Sequence, residues 1–322
     1  MNDILVSIAC ITYNHEKYIA EALDSFLMQK VNFKYEILIH DDASTDRTAE
    51  IIKSYHEKYP DIIKPILQKE NKMSKGVKKV NYRYNHSRAK GKYIAICEGD
   101  DYWSDPNKLQ IQVDYLEKHL ECSMCFHASD IISGSKGKVG EMRPYNKDCI
   151  SSTDDIILGD GGFIPTNSIV YRKRAMDNAP NFYIEAPVGD YPLQIITSSQ
   201  SYAYYINKAM SVYRIGVVGS WTSTLNRSRN RDEKKIKLLN ELNQMLSEVN
   251  EYYDGKYLES INKRIQMNEF EALKAQKDVK KLKDEKYRSF YNSLGIKEKI
   301  LIYLNCYMPR TYDMLFRMKH RF

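Results

Sequence analysis

Three carboxylates follow directly after a short apolar run in the first third of the chain. The run is Tyr93 to Cys97, and the acids are Glu98, Asp100 and Asp101. Such a run predicts a strand buried on both faces, as in a parallel sheet. Acids crowded at its carboxyl end repel one another unless a cation or a hydrogen-bond donor lies between them. A hard divalent cation completed by substrate phosphates fits this chemistry, and a solvated acidic turn before a helix is the alternative.

Polar and aromatic side chains also follow two earlier strand-like segments. Open α/β sheets bind ligands at the carboxyl ends of their strands, so we expect these side chains to meet in one crevice. An aromatic ring there can stack on a base, and acids can accept hydrogen bonds from a base or a ribose. The residues concerned are Thr12, Tyr13 and Asn14 after the first segment, and Asp41 and Asp42 after the second.

The elements that must position these residues alternate between strand and helix patterns. This alternation predicts an α/β fold, a doubly wound and mostly parallel central sheet flanked by helices. Pro65 predicts that its strand lies at an edge, because proline cannot donate to a central ladder. The predicted strands of this part are 5–12, 35–39, 62–67, 93–97 and 123–127.

Four later segments carry weaker patterns. Residues 134–162 are rich in glycine, serine and aspartate, which predicts a long irregular loop. Residues 163–171 predict a strand, and a helix is predicted from Gly189-Asp190 onward. Residues 77–89 predict a polar helix, whose basic side chains we interpret as a solvated face rather than a phosphate site. They are Lys78, Lys79, Arg83 and Arg88.

Composition and charge describe two different parts of the chain. The 322 residues are 43% hydrophobic and 28% charged, as in a soluble globular enzyme. No signal-peptide pattern and no apolar run near the roughly 20 residues of a membrane span occur, which predicts a cytoplasmic location. Residues 1–220 carry 27 Lys and Arg against 28 Asp and Glu, whereas residues 221–322 carry 22 against 14. The basic C-terminal third predicts an anionic partner.

Three motifs in order resemble family 2 glycosyltransferases of the GT-A fold. They are Val-Ser-Ile-Ala-Cys-Ile-Thr-Tyr-Asn at 6–14, Asp-Asp-Ala-Ser-Thr-Asp at 41–46 and Glu-Gly-Asp-Asp-Tyr-Trp at 98–103. The resemblance covers roughly residues 4–220. It implies transfer of one sugar, with inversion, from a nucleotide-diphosphate donor such as a UDP-sugar to a hydroxyl of a glycan or lipid-linked acceptor. Synthesis of a bacterial-type surface polysaccharide is the expected setting.

The same resemblance assigns roles to the strand-end residues. Tyr13 would stack on the base and Asp42 would hydrogen-bond to it. Glu98 stands where the family's first aspartate is common, and its longer reach is expected to serve the ribose. Asp100 is the first choice as ligand of Mn²⁺ or Mg²⁺, and Asp101 is the second. The full donor set implied is Thr12, Tyr13, Asn14, Asp41, Asp42, Glu98, Asp100 and Arg214.

Inversion requires a general base for the acceptor hydroxyl. In the family this base is the aspartate of a Glu-Asp pair before a helix, and Gly189-Asp190 falls at that place. Glycine replaces the glutamate, which leaves Asp190 as the candidate catalytic base. The alternative is that Asp190 only caps its helix.

The region between 163 and 221 supplies the remaining candidates. The acceptor candidates can equally be ordinary turn residues. Arg214 precedes a glycine-containing segment that could close over the diphosphate, where its charge would neutralise the leaving group; an ordinary surface arginine is the alternative. The acceptor candidates are Thr166, Asn167, Ser168 and Trp221.

We predict a catalytic domain at 1–221 and a basic helical extension at 222–322. The apolar patch 300–304 with Tyr307, flanked by Lys and Arg, predicts an interfacial helix on anionic lipid, which would place the enzyme at the inner face of the cell membrane. An amphipathic helix packed on its own domain fits the pattern equally. No nucleic-acid partner is expected.

Two other functions are compatible with parts of the sequence. A sugar-phosphate nucleotidyltransferase would carry a glycine-rich phosphate loop after the first strand, and the segment from Thr12 to His15 contains no glycine. A non-catalytic scaffold that binds a membrane or a partner through the basic tail is the second alternative. The intact acids Asp100, Asp101 and Asp190 disfavour it.

Overall fold

The apolar runs of the first compact unit, Met1–Gly219, form one mixed sheet in the computed structural model. The structure describes residues 4–217, 219–220, 223–225, 228 and 230–319. Its strands are β1 (Ile4–Thr12), β2 (Lys34–Asp41), β3 (Ile63–Leu67), β4 (Tyr93–Ile96), β5 (Tyr102–Trp103), β6 (Cys122–Ser133), β7 (Lys138–Met142), β8 (Cys149–Ser151), β9 (Val170–Arg172) and β10 (Tyr202–Ile215).

The strand order is β3-β2-β1-β4-β9-β6-β10-β5, with β7 beside β6 and β8 beside β10. Strands β3, β2, β1 and β4 are parallel. Strand β9 is antiparallel to both β4 and β6, and β10 is parallel to β6. Six of the strands in the described part of the chain therefore share one direction, which confirms the mostly parallel α/β prediction. Strand β3, which contains Pro65, lies at the edge.

Helices cover this sheet because their apolar residues recur at helical spacing. In the first of them, Ile19, Leu23 and Phe26 are fully buried against the sheet. The α-helices of the first unit are α1 (Ile19–Leu27), α2 (Thr48–Lys58), α3 (Val80–Tyr84), α4 (Lys108–Lys118), α5 (Thr153–Gly159), α6 (Asn181–Glu185) and α7 (Asp190–Ser199).

Three local predictions were wrong. The helix predicted at 77–89 is the short α3 followed by a 3₁₀ turn, because the buried Asn85 side chain donates to the Cys10 carbonyl at this point. The strand predicted at 163–171 is mostly a turn, since the Ser168 hydroxyl bonds back to the Pro165 carbonyl at 2.6 Å. The segment 134–162 is not irregular, since it forms β7, β8 and α5, and Ser152 caps α5.

The chain divides into two compact units, Met1–Gly219 and Ser220–Phe322. In the second unit, one helix of the basic extension ends at Gln276, where Lys277 adopts a left-handed conformation with φ 63°. No helix in the described ranges is long and apolar enough to cross a membrane. The helices of the second unit include α8 (Arg231–Tyr252), α9 (Leu258–Gln276), α10 (Val279–Leu282), α11 (Arg288–Ser293), α12 (Ile296–Tyr307) and α13 (Pro309–Lys319).

Candidate active site

The carboxyl ends of β2, β1 and β4 adjoin, because these strands are neighbours in the sheet. The backbone N–H of Asp42 donates to the Thr12 carbonyl at 3.0 Å, and that of Gly99 donates to the Ile11 carbonyl at 2.9 Å. A Cβ atom at position 99 would lie 2.8 Å from Thr12 Cβ and Oγ1. Only glycine therefore lets the turn after β4 approach β1 this closely.

Asp100 lies buried at these strand ends, beside a histidine. Its Oδ2 atom is 3.8 Å from His15 Nε2. Burial lowers the pKa of His15 although Asp100 acts in the opposite direction, which favours the neutral ring. Thr12 Oγ1 and His15 Nδ1 are buried and have no hydrogen-bond partner among the residues that the structure describes. Buried polar atoms of this kind indicate a polar ligand at this end of the sheet.

Asp101 faces the protein rather than the crevice. Its Oδ1 accepts the backbone N–H of Arg214 at 2.8 Å, and its Oδ2 accepts Asn167 Nδ2 at 3.0 Å. Asn167 is itself buried, and it also donates to the Val212 carbonyl at 3.1 Å. Burial raises the pKa of Asp101 well above its usual range. Both of its oxygens accept from protein donors, and its assignment as second choice for the metal stays a prediction.

Arg214 belongs to β10 and not to a mobile loop. Its guanidinium lies between the rings of Tyr18 and Tyr102, at 5.0 and 4.6 Å from their centroids. One nitrogen donates to the Asp100 carbonyl, and another pairs with Glu21. Only 9% of the side chain is exposed. Arg214 therefore fixes the turn that carries Asp100, and its expected action on a leaving group stays a prediction.

The acids after β2 accept hydrogen bonds from the backbone of two loops. Asp41 accepts the backbone N–H of Ser44 at 3.1 Å and its hydroxyl. Asp42 accepts the backbone N–H groups of Lys72 and Met73, at 2.8 and 3.0 Å. Each oxygen of Asp42 retains a second lone pair, so these bonds leave acceptor capacity for a base.

Tyr13 and Asn14 directly follow the carboxyl end of β1. Tyr13 is 38% exposed, so its ring is accessible for stacking. Asn14 has a left-handed backbone with φ 57°, which asparagine tolerates better than most residues. Its Oδ1 accepts the backbone N–H of Thr45 at 2.8 Å, which ties the end of β1 to the loop after β2.

Asp190 is the first residue of α7, and it comes close to the acids after β4. Burial, then the charge of Asp100 and last that of Asp190, raise the pKa of Glu98 to about 8. Burial also raises the pKa of Asp190 itself, and the Tyr191 N–H donates to its Oδ1 at 2.8 Å. A Cβ atom at Gly161 would lie 3.6 and 3.7 Å from the two Asp190 carboxylate oxygens. The glycine therefore leaves space beside the carboxylate.

The acceptor candidates separate by burial. Asn167 and Ser168 are buried, so their side chains are not accessible to an acceptor. Both residues support the fold in this structure, and their contact with an acceptor stays a prediction. Thr166 is partly exposed and keeps its candidacy. Trp221 lies outside the described residues.

Two residues of this region were missed by the sequence reasoning. His15 directly follows the first strand-end motif, and that adjacency was the available sign. Lys79 was interpreted as part of a solvated face, whereas its Nζ donates to the carbonyls of Ala186 and Val188, 107 and 109 residues away. Arg88 is likewise half-buried and donates to the Lys64 carbonyl. No local pattern indicates contacts at such separations.

The donor set for a metal is small. In the described ranges, no group of three or more His, Cys, Asp or Glu side chains could hold an ion. A buried carboxylate and an unpartnered hydroxyl at the ends of adjacent strands suit a cation that takes its other ligands from phosphate and water. Asp100 and Thr12 meet that requirement.

Comparison with known proteins identifies the family. Residues 7–178, more than half of the chain, match the model described as Glycosyl transferase family 2. The chain belongs to glycosyltransferase family 2. An uncharacterized protein of Mycobacterium tuberculosis is 40% identical over 219 residues, which is 68% of this chain and 61% of that protein. The chain thus spans less than two thirds of that relative's length.

Solved structures show that this family 2 chain has the GT-A-like fold that its motifs predicted. TarS of S. aureus, solved as residues 1–349 with UDP-GlcNAc, aligns with a TM-score of 0.59 at 16% identity, covering 94% of this chain and 79% of that one. A mannosyltransferase of Pyrobaculum calidifontis, solved with GDP-Man and Mn²⁺, aligns with a TM-score of 0.54 at 16% identity, covering 98% and 84%. At these identities the likeness concerns the fold alone.

Proposed function

We propose that this chain is an inverting, metal-dependent glycosyltransferase that moves one sugar from a nucleotide-diphosphate donor to a hydroxyl of a glycan or lipid-linked acceptor. The observation that carries the proposal is the match of residues 7–178 to glycosyltransferase family 2, together with the position of Asp100 after β4 and of Asp190 at the start of α7. One carboxylate faces the donor end of the sheet, and the other faces the space beside Gly161.

The donor site is built from the strand ends. Tyr13 offers an exposed ring to the base, and Asp42 offers acceptor lone pairs to its N–H groups. Asp100 and Thr12 would hold Mn²⁺ or Mg²⁺, and a bound divalent ion neutralises the charge that develops on a leaving diphosphate. A UDP-sugar is the first donor to test, since TarS was solved with UDP-GlcNAc, and a GDP-sugar is the second.

Asp190 is the proposed general base. Its carboxylate takes the proton of the acceptor hydroxyl while that oxygen attacks the anomeric carbon on the face opposite the diphosphate. Burial raises its pKa, which strengthens it as a base relative to a solvated aspartate. Surface polysaccharide synthesis remains the proposed setting for this reaction.

A screen of nucleotide-sugars by thermal shift, with and without Mn²⁺, tests the function directly. We expect one donor to stabilise the protein in a metal-dependent manner and to support transfer. Asp190→Asn should keep donor binding and lose transfer by about a hundredfold or more. Asp100→Asn should lose the metal-dependent part of donor binding.

Other outcomes of the screen overturn the proposal. Release of pyrophosphate from a nucleoside triphosphate and a sugar phosphate indicates the nucleotidyltransferase. Absence of any nucleotide-sugar binding indicates the scaffold. Unchanged transfer by Asp190→Asn removes the assignment of the base.

We also propose that α12 contacts an anionic membrane surface. Ile302 on this helix packs into the core of its own unit, whereas residues spaced at 296, 300, 303 and 307 form an exposed apolar stripe. A stripe at this spacing lies on one helix face. Lysines flank it, and Lys283 donates to the Tyr303 hydroxyl at 2.9 Å. An apolar face bordered by cations complements anionic lipid, and this would place the protein at the inner face of the cell membrane.

A further inference from the structure

A lysine from a distant part of the chain holds the segment that leads into Asp190. Lys79 Nζ donates to the backbone carbonyls of Ala186 at 2.7 Å and Val188 at 2.6 Å. Its ammonium also lies 5.4 Å from the centre of the Tyr183 ring. Two hydrogen bonds therefore tie one side chain to the loop between α6 and α7, directly before the candidate base, and the ring contact ties it to α6.

Lys79 makes these contacts from an unusual backbone conformation. The residue precedes α3 with φ 56°, a left-handed conformation that costs free energy for a residue with a long side chain. A Cβ atom at Gly189 would lie 3.9 Å from Lys79 Cδ. The lysine stem thus packs beside the residue that, by its family resemblance, has lost the acid preceding Asp190.

The charge of Lys79 acts on the candidate base. Burial and Asp160 favour the protonated form of Asp190, whereas the Tyr191 N–H and the Lys79 ammonium favour the ionised form that can accept a proton. Burial and the charge of Lys78 lower the pKa of Lys79 to about 8, while Asp190 and Glu185 act to raise it. The side chain is therefore mostly charged at neutral pH.

We propose that Lys79 is the positioning residue of Asp190: it fixes the two carbonyls that precede α7 and holds the carboxylate ionised for proton abstraction. This inference rests on the proposed function, in which Asp190 is the base. It adds a residue that the motifs did not indicate, from a segment that the sequence pattern presented as solvated.

The neighbouring Lys78 provides a matched control. Its Nζ donates to the Glu185 carbonyl at 2.7 Å and to the Glu185 carboxylate at 3.0 Å. It thus contacts the last residue of α6, directly before the same loop, but its side chain is 48% exposed, and water screens its charge. Each variant loses lysine hydrogen bonds to the segment that leads into α7, whereas loss of the charge acting on Asp190 is specific to Lys79.

The test measures kcat and the donor KM from pH 5 to pH 9 for Lys79→Met and Lys78→Met. Methionine keeps most of the stem and removes the ammonium. For Lys79→Met we expect kcat to fall roughly tenfold or more, an unchanged donor KM, and an acidic limb of the kcat profile that moves up by about one pH unit. The limb moves up because removal of the cation raises the pKa of Asp190. Lys78→Met should match the wild type.

Two further variants separate charge from hydrogen bonding and from folding. Lys79→Gln keeps a donor without the charge, and its acidic limb should move up. Lys79→Arg keeps the charge, and its limb should stay at the wild-type pH. An acidic limb that is the same in Lys79→Gln and Lys79→Arg overturns the inference, even if Lys79→Met does not fold. Absence of transfer by the wild type with every donor instead overturns the proposed function.

Discussion

Asn167 Nδ2 donates a hydrogen bond to Asp101 Oδ2 at 3.0 Å, and both side chains are buried. The motifs assigned these residues to different tasks, one to the acceptor and one to the metal. The structure instead joins them in a support beneath the turn after β4. Trp103 Nε1 donates to the Asn167 carbonyl at 2.9 Å, which holds the same turn from its other end. Asp100 is consequently the carboxylate of the pair that faces the crevice.

Replacing Asn167 by alanine should weaken this support. Asp101 would lose a donor while remaining buried, so we expect the free energy of unfolding to fall by about 2 kcal/mol in urea denaturation. Donor affinity should fall as well, because the turn that carries Asp100 loosens. Ser168→Ala is the control, since among the described residues its hydroxyl bonds only to the Pro165 carbonyl. Lowered stability with unchanged donor affinity would limit Asn167 to the fold.

Gly161→Ala should obstruct the acceptor without disturbing the fold. Gly161 is not among the glycines with positive φ, and its new Cβ would lie at 3.4 Å from Tyr191 Cβ. The methyl group would occupy the space beside the Asp190 carboxylate, so the acceptor KM should rise about tenfold, equivalent to about 1.4 kcal/mol. Donor KM and melting temperature should stay near the wild type. Gly140→Ala in β7 is the control, and an equal effect there would contradict the explanation.

Lys108 should make stability depend on pH. Its buried ammonium donates to Gln112 Oε1 at 2.8 Å and lies 4.1 Å from the Trp103 ring centre, and burial lowers its pKa to about 7. An unfolded lysine keeps its proton to about pH 10.4. Between these values the unfolded state binds more protons, so stability should rise with pH.

The Lys108 effect is measured as the difference between wild type and Lys108→Met. From pH 7 to pH 9, the free energy of unfolding of the wild type should rise relative to that of Lys108→Met. The nearby thiols of Cys97 and Cys125 have raised pKa values because of burial, so they stay neutral over this range. Parallel pH dependence of the two proteins would show that Lys108 does not titrate there.

The exposed stripe of α12 should determine binding to anionic vesicles. Ile296 and Ile300 are 79% and 52% exposed, so serine at both positions removes apolar contact with lipid without opening the core. Burying each isoleucine contributes about 1.5 to 3 kcal/mol, and the double variant should bind phosphatidylglycerol vesicles at least about tenfold more weakly in sedimentation. Leu258→Ser is the control, because Leu258 is 50% exposed on α9. Equal binding by the double variant and the wild type would reject the surface.

The sequence by itself determined the strand ends and their neighbours. Apolar runs buried on both faces must lie inside a sheet. Parallel strands place Thr12, Asp42 and Glu98 together at their carboxyl ends. Pro65 fixed the position of β3 at the edge for a similarly local reason, since its missing N–H excludes a central place. The three motifs and their order were sufficient for the family.

Only the tertiary structure decided which way the acidic side chains point. Asp100 and Asp101 are neighbours in sequence, and their division depends on β10 returning beside β5, which brings the N–H of Arg214 to Asp101. Lys79 reaches Val188, 109 positions further along the chain, only because the fold brings the two segments together. Contacts of that separation leave no periodic pattern, because each is set by how whole elements pack and not by the residues beside it.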